Sequence, residues 1–535
     1  MSWMIGLSKR SSKVIDRFPW LMPLLGGMLM ALGPAPLNLW IVAWVAIVPL
    51  WWMAIEGRSP VKSGILWGLA YHGISLFWIT GLHPLTSMGI SGVTSVMIVA
   101  VVWLFITFFG AGCVGVWAGA LAWMTQRRIH PGIRVLSAAA LWCAIEQLRS
   151  YSALDWTGIA YTQSPGNLAI LHLGQISGNA LIAAAIVAVN GAIAESGWST
   201  YNRSEARSEF PHFIVLVPAM LPAIGLFATA HLVGWGISLS TVPSQSNPIR
   251  IGTVQGNISI RIQSSAAGGL EGFKHYSGGY ETLVAQGAQM VLFPEGSLPL
   301  QWVNYPDKLI AQKIKTLKIP VALGTSGIRG DRRTQAMFML DENGKITSQY
   351  DKVKVVPLGE SLPFEEILGK FISKLSPARD YLIAGQPDQI FKTPFGQAAM
   401  GICYESAFPD IFRRQVQQGA TFLISASNLD PFSTVLMAQH EAHDIMRAIE
   451  TDRPMIRVTN TGYSGLIEST GQTKWRSQPN RYDLHISELS PRTSQTLYVR
   501  YGNWIMPLLL GLSVALSLGA SLSARISSIG LTRQR

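Results

Sequence analysis

The chain has 535 residues, 49% of them apolar and only 13% charged, with 18 Trp and a net charge of +12. That length exceeds one ordinary domain, and the charged share is about half that of soluble proteins, which argues against a wholly soluble chain. The surplus Lys and Arg lie in short connectors between apolar runs, where they set membrane topology; no basic stripe with interleaved aromatics marks nucleic acid as a partner.

Before residue 240 the sequence is a series of apolar runs. Lys9, Arg10, Lys13 and Arg17 precede a run from Pro19 to Leu32. No small-residue cleavage site followed by soluble sequence comes after it, so it reads as a retained span. The chain turns at Gly33, Pro34 and Pro36 and is apolar again to Ile55. Further spans are predicted near 62–81, 90–124, 133–150, 178–195, 211–237 and 503–523, since about 20 apolar residues cross the hydrocarbon core. The 90–124 run is long enough for two short helices meeting near Gly110; read as one helix, it brings the total to eight spans.

The charges support that count. Arg58 and Lys62, then Arg127, Arg128 and Arg134, then Arg203 and Arg207, then Arg525, Arg533 and Arg535 fall with the first basic cluster on one side. The opposite loops, near 34–37, 82–90 and 151–177, hold no Lys or Arg. Both termini are therefore expected in the cytoplasm and the 240–502 region outside it. Glu146 and Arg149, three apart near the end of the fifth span, face one side of a helix; they read either as a helix-end pair reaching the interface or as a functional intramembrane pair. Trp156, Tyr161 and Gln163 in the next loop suit a headgroup boundary.

From Ile249 the pattern changes. Strands are predicted at 249–258, 290–293, 320–326, 335–340, 345–350, 396–405, 421–427, 455–460 and 465–469, with an Asn-Gly hairpin turn at 341–344. Helices are expected at 279–288, 306–317, 407–418 and 436–451. Strands alternating with helices indicate an α/β fold with a mixed sheet.

Three segments place a reactive side chain just past a buried strand, where α/β folds gather their sites. In "VLFPEGSLP", Glu295 is either a solvated loop carboxylate or a desolvated one raised toward base chemistry. In "YDKVKVVPLGESLPF", Lys352 or Lys354 can stabilise an oxyanion, or either is simply solvated. In "MGICYESAFPD", Cys403 ends a strand before a helix start, a position expected to lower its pKa. Cys113 and Cys143 lie inside apolar runs, and nothing forms a disulfide framework or zinc pattern. "HEAHD" (440–444) has its histidines three apart, unlike H-E-x-x-H, and reads as a helix with one polar face. No cofactor or metal is expected.

In the order Glu, Lys, Cys these segments resemble the nitrilase superfamily over roughly 249–490, which implies an α-β-β-α sandwich with a Glu-Lys-Cys triad. With eight apparent spans included, the chain resembles the apolipoprotein N-acyltransferase family: "APLNLW" (35–40), "EQLRS" (146–150), "VQGNI" (254–258) and "GICYES" look like its segments. The resemblance implies a membrane domain over 1–240 with about seven spans, a catalytic domain over 249–490 on the periplasmic side of a bacterial inner membrane, and a last helix at 503–523. It assigns Cys403 as nucleophile, Glu295 as general base and Lys352 as triad lysine, preferred over Lys354 by its spacing to Pro357-Leu358-Gly359-Glu360. Glu360, Glu405 and Tyr404 match supporting positions.

The implied reaction moves an acyl chain from a phospholipid, through a Cys403 thioester, to the α-amine of a diacylglyceryl-cysteine on an apolipoprotein. An apolar lid near 360–380 would keep water from the thioester. Where the family usually has Asp-x-Trp-Phe, this chain has Leu429-Asp430-Pro431-Phe432, a departure that leaves the shape of the acyl or lipoprotein entrance open but not the triad. A membrane-anchored amidase using the same triad would deliver the acyl group to water instead. A transporter or scaffold is disfavoured by the few charges in the spans.

Overall fold

In the computed structural model, residues 18–532 are described except 86–89, 153, 206–211, 241–243, 245, 264–265, 299–309, 357–359 and 361–381. The expected lid therefore lies outside the described residues, apart from Glu360.

The apolar runs form helices α1 (Leu21–Ala31), α2 (Val48–Ile55), α3 (Pro60–Ser75), α4 (Gly92–Gln126), α5 (Pro131–Tyr151), α6 (Gly174–Glu205), α7 (His212–Leu239) and, at the far end of the chain, α12 (Ile505–Thr532). The 90–124 run is one helix, α4. Non-helical Ser177 and Gly178 kink α6 near the expected start of its span. Among the described residues three stretches are long and apolar enough to cross a membrane, Gly92–Gln126, Gly174–Thr200 and Ala219–Leu239; Leu21–Ala31, Trp40–Ile55 and Ile505–Ala520 are shorter apolar stretches.

Large apolar side chains stand outward on these helices: Val93, Met97, Val101, Phe105 and Phe108 on α4, and Leu221, Ile224, Leu232 and Trp235 on α7. A patch of this extent is untenable in water and natural in lipid. Inside, glycines allow close helix approach. A β-carbon at Gly64 would sit 2.6 Å from Val114 O, and one at Gly68 2.5 Å from Ala111 Cα, so the four-residue spacing presses α3 onto α4.

The second part is two six-stranded sheets. Strands β1 (Ile249–Gln255), β2 (Met290–Leu292), β3 (Val321–Arg329), β4 (Arg332–Leu340), β5 (Ile346–Asp351) and β12 (Asp483–Leu489) form one sheet in the order β12-β1-β2-β3-β4-β5. The other contains β6 (Phe391–Thr393), β7 (Gly396–Ile402), β8 (Phe422–Ser427), β9 (Met455–Thr459), β10 (Gly465–Ile467) and β11 (Thr473–Arg476), in the order β11-β10-β9-β8-β7-β6. Alternation along each strand builds two interfaces at once. Ile251, Met290, Met337 and Met339 meet Met400, Ile402, Ile424 and Val458 between the sheets. Their neighbours Val254, Val291, Leu323 and Phe338 face helices α8 (Ala266–Ala285) and α9 (Ile310–Leu317).

On the far side of the second sheet, helices α10 (Pro409–Gln417) and α11 (Thr434–Thr451) complete the α-β-β-α sandwich. Phe412, Met437, Met446 and Ile449 from these helices join one continuous core with Ile170, Leu171 and Ile186 of the membrane part. Specific bonds lock that docking: Trp156 Nε1 donates to Gln439 Oε1 at 2.8 Å, Ser164 Oγ to Ala442 O at 2.8 Å, and Arg447 Nη2 to Tyr161 Oη at 3.2 Å.

Glu146 and Arg149 do not pair with each other. Glu146 accepts from Trp142 Nε1 and the Ile159 amide, while Arg149 holds Asp155 at 3.6 Å and donates to Thr157 Oγ1. Together they fasten the loop that carries Trp156.

Candidate active site

Glu295, Lys352 and Cys403 follow strands β2, β5 and β7 respectively, and the two facing sheets bring them into one cluster, with Glu295 and Lys352 buried and Cys403 half-buried. Lys352 Nζ donates to Glu295 Oε1 at 3.1 Å and to Glu360 Oε1 at 2.7 Å. The second Glu295 oxygen accepts the Asn428 amide at 3.0 Å, and the Cys403 thiol lies 3.9 Å from the Asn428 carbonyl oxygen. Lys354 goes elsewhere: its ammonium lies 4.8 Å over the Phe408 ring. The backbone of Lys352 is strapped on both sides, its N–H donating to Gln335 O at 2.8 Å and its C=O accepting from Gly385 N at 2.7 Å.

Burial raises the Glu295 carboxyl above its ordinary value, with Glu360 adding to the effect and Lys352 opposing it. Lys352 itself is driven well above the usual lysine value: burial acts downward, but two carboxylates share its charge and prevail. The Cys403 thiol is pushed well up by burial and by Glu295 against the pull of Lys352. This corrects the expectation that a helix start would lower it. The turn that Cys403 opens is a 3-10 turn, Cys403–Ala407, too short to project a useful dipole. A thiol raised in this way would need a base in order to attack, and the raised Glu295 carboxylate whose charge acts on it is suited to that task.

Cys403 has φ +52°, a left-handed conformation that costs about 1–3 kcal/mol for a side-chain-bearing residue and persists only when its surroundings impose it. Glu405 is one of those surroundings. Its two oxygens accept from the Val353, Lys354 and Ile402 amides at 2.6, 3.1 and 2.7 Å and from Tyr350 Oη at 3.1 Å, tying the lysine segment to the cysteine turn. Burial pushes its carboxyl up to about 7 in spite of those donors. Tyr404 stacks on Trp156 of the membrane part with ring centroids 5.9 Å apart, and Trp156 in turn contacts Trp78.

In the divergent segment, Asp430 Oδ2 accepts the Ile260 amide at 2.7 Å, and Phe432 packs edge-on against Trp78 at 5.5 Å. A cavity of about 370 Å³ lies where the two parts meet, lined by Glu146 and Tyr161 on one side and Val353, Lys354, Phe408 and Arg414 on the other. It reaches Val353, the neighbour of Lys352, while Glu295, Lys352 and Cys403 themselves do not line it.

The sequence reading missed the contribution of α11. His440, Glu441, His443 and Asp444, read from the sequence only as part of a helix with one polar face, are all buried. The available signal was a helix with polar residues all round, Gln439 to Arg447, in a segment too apolar elsewhere to be solvent-facing.

Residues 26–192 match the apolipoprotein N-acyltransferase N-terminal domain, and residues 250–477 match the carbon-nitrogen hydrolase domain. An apolipoprotein N-acyltransferase from Nostoc sp. is 42% identical over 492 residues, covering 90% of this chain and 96% of its own. The chain belongs to the apolipoprotein N-acyltransferase family. Proteins of the same name from Synechocystis sp. and Thermosynechococcus vestitus are 38% and 37% identical, over 90% and 94% of this chain and 97% and 96% of theirs. As a member of that family the chain is an enzyme, and its carbon-nitrogen hydrolase part fits acyl transfer. The first match spans α1 into α6, and the second spans β1 through β11.

Gly324 makes a sharp test of how the fold places the Glu295 carboxylate. A β-carbon there would lie 2.3 Å from Pro294 O and 2.7 Å from Glu295 Cα, contacts with backbone that no rotamer relieves. Gly324→Ala is expected to shift Glu295 and lower the transfer rate about tenfold to a hundredfold, measured as kcat with circular dichroism to verify folding. An unchanged rate would show that the Glu295 loop tolerates displacement.

Proposed function

We infer that the chain transfers an acyl chain from a phospholipid to the N-terminal α-amine of diacylglyceryl-cysteine in apolipoproteins, with Cys403 as nucleophile, Glu295 as base and Lys352 as oxyanion partner. The observation that carries this reading is the Glu295–Lys352–Cys403 cluster, buried at Glu295 and Lys352 and packed through Cys403 against the core shared with the membrane part.

In the first half-reaction Glu295 takes the thiol proton as sulfur bonds to the ester carbonyl carbon. The charge on the carbonyl oxygen is held by Lys352 Nζ and amides of the turn. Collapse breaks the carbon–oxygen bond, and the leaving alkoxide receives the proton from Glu295, so lysophospholipid departs. In the second half the lipoprotein amine attacks the thioester and loses a proton to Glu295, the amide forms, and the sulfur regains its proton. Glu360 shares the charge of Lys352, Glu405 fixes the turn, and Tyr404 joins the turn to Trp156.

Eight spans, domain limits of 1–240, 249–490 and 503–523, an inner-membrane location with the catalytic domain periplasmic, and cytoplasmic termini all belong to the same proposal. Support comes from the basic connectors falling on one side and from the outward apolar faces of α4 and α7. The cavity between the two parts supports delivery of lipid substrates from the bilayer.

The rival, a membrane-anchored amidase, differs in its acceptor. Supplied with phospholipid, the enzyme should form N-acylated product only when a peptide bearing diacylglyceryl-cysteine is added, with free fatty acid a minor product by mass spectrometry. Fatty acid release at one rate with or without that peptide would replace this reading with hydrolysis.

A further inference from the structure

We propose that His440 is a positioning residue that holds the Cys403 turn in its attacking conformation through a hydrogen bond to the Cys403 carbonyl. The proposal rests on the reading of Cys403 as nucleophile. His440 lies on α11, its ring buried, with Nε2 2.9 Å from Cys403 O. A carbonyl only accepts, so Nε2 carries the proton and Nδ1 presents a lone pair. That lone pair faces Arg457 Nη2 at 3.2 Å, and a guanidinium only donates. The two bonds together settle the tautomer.

Arg457 stands on β9 and is itself fixed, its Nη1 donating to Asp444 Oδ2 at 2.6 Å and its Nε to Tyr463 O at 3.2 Å. Asp444 also lies 3.5 Å from His440 Nδ1, but that nitrogen bears no proton in this arrangement, so Asp444 acts through Arg457. The remaining groups around the ring are the Trp156 indole, His443 and the charge of Lys352. Burial draws the imidazole down to about 4, which agrees with a neutral donor.

Asp444, Arg457, His440 and the Cys403 carbonyl thus form a buried chain ending on the strained residue. Cys403 at φ +52° needs restraint on both flanks. Glu405 grips the preceding Ile402 amide, and His440 grips the carbonyl. The adjacent residue of α11, Gln439, is bonded to Trp156 Nε1 and to Ser75 O in the membrane part. The helix turn that holds the nucleophile is therefore the one that docks on the membrane part. His440 has no step in the acyl transfer itself.

Full-length His440→Leu and His440→Gln, with Cys403→Ala beside them, test this with phospholipid and a diacylated peptide as substrates. Losing the donor in His440→Leu should lower kcat about tenfold or more while KM stays within about twofold. In His440→Gln the amide can still donate, and kcat should recover to within about threefold of the wild type. A folded His440→Leu with wild-type kcat would overturn the proposal, and so would a folded His440→Gln as slow as His440→Leu. Should His440→Leu fail to fold, His440→Gln decides alone: folded and active supports the hold on the carbonyl, folded and tenfold down refutes it. Activity surviving in Cys403→Ala would instead refute the nucleophile reading, a separate result.

Discussion

Cys403→Ala is expected to abolish acyl transfer, by about four orders of magnitude or more, while the protein still inserts and folds. The size of the loss follows from the covalent route: without sulfur there is no thioester, and the remaining groups only bind and polarise. The fold should survive because the side chain is small and its contact with Asn428 O, at 3.9 Å, is weak. Ala at this position also relaxes nothing that Glu405 and His440 hold, since both grip backbone groups. Transfer assays with purified wild type and variant, matched by circular dichroism, give the comparison. Residual transfer above about a hundredth of wild type would point to direct attack of the amine on the ester.

Lys352→Met is expected to lower kcat about a thousandfold and to cost stability as well. Its ammonium is shared by Glu295 and Glu360, so Met leaves the buried Glu295 and the half-buried Glu360 without that cation, and an uncompensated buried charge typically costs about 3–5 kcal/mol. The sign of the accompanying pH effect follows from the same pair. Lys352 acts to lower Glu295, whose carboxyl burial has already raised. Removing that cation lifts it further, so the acidic limb of the residual rate should move to higher pH. A pH–rate profile of the variant checks this. An acidic limb that stays in place would mean that Glu295 is not the group titrating there.

Much of the soluble fold was legible because both faces of most strands are buried, which leaves short apolar runs such as 290–293 and 421–427. The hairpin was announced by its turn: Gly344 takes φ +73°, and Asp341 Oδ1 accepts the Asn343 and Lys345 amides. Three strands gave no comparable signal. β6 is three residues long, β11 alternates half-buried with exposed positions, and β12 (DLHISEL) is an edge strand with mixed polarity. Helix α8 begins at Ala266, well before the expected 279, because Gly269, Gly272, Gly278 and Gly279 mask its periodicity.

The site was legible as three strand ends, but its electrostatics were not. The local cue at Cys403 suggested a lowered pKa; the actual environment is set by Glu295, Lys352 and burial, which come from distant parts of the chain. The role of α11 was hidden for a related reason. A polar helix looks solvated until its partners are known: Arg457 of β9 faces His440 and Asp444, and Tyr161 of the membrane part faces Arg447.

The central claim, a thioester on Cys403, is tested most directly by intact-mass spectrometry of the membrane-purified enzyme after incubation with phospholipid and no acceptor. The account predicts an acyl-sized mass increment on the wild type, absent from Cys403→Ala and released by hydroxylamine. No increment, or the same increment on Cys403→Ala, would contradict it.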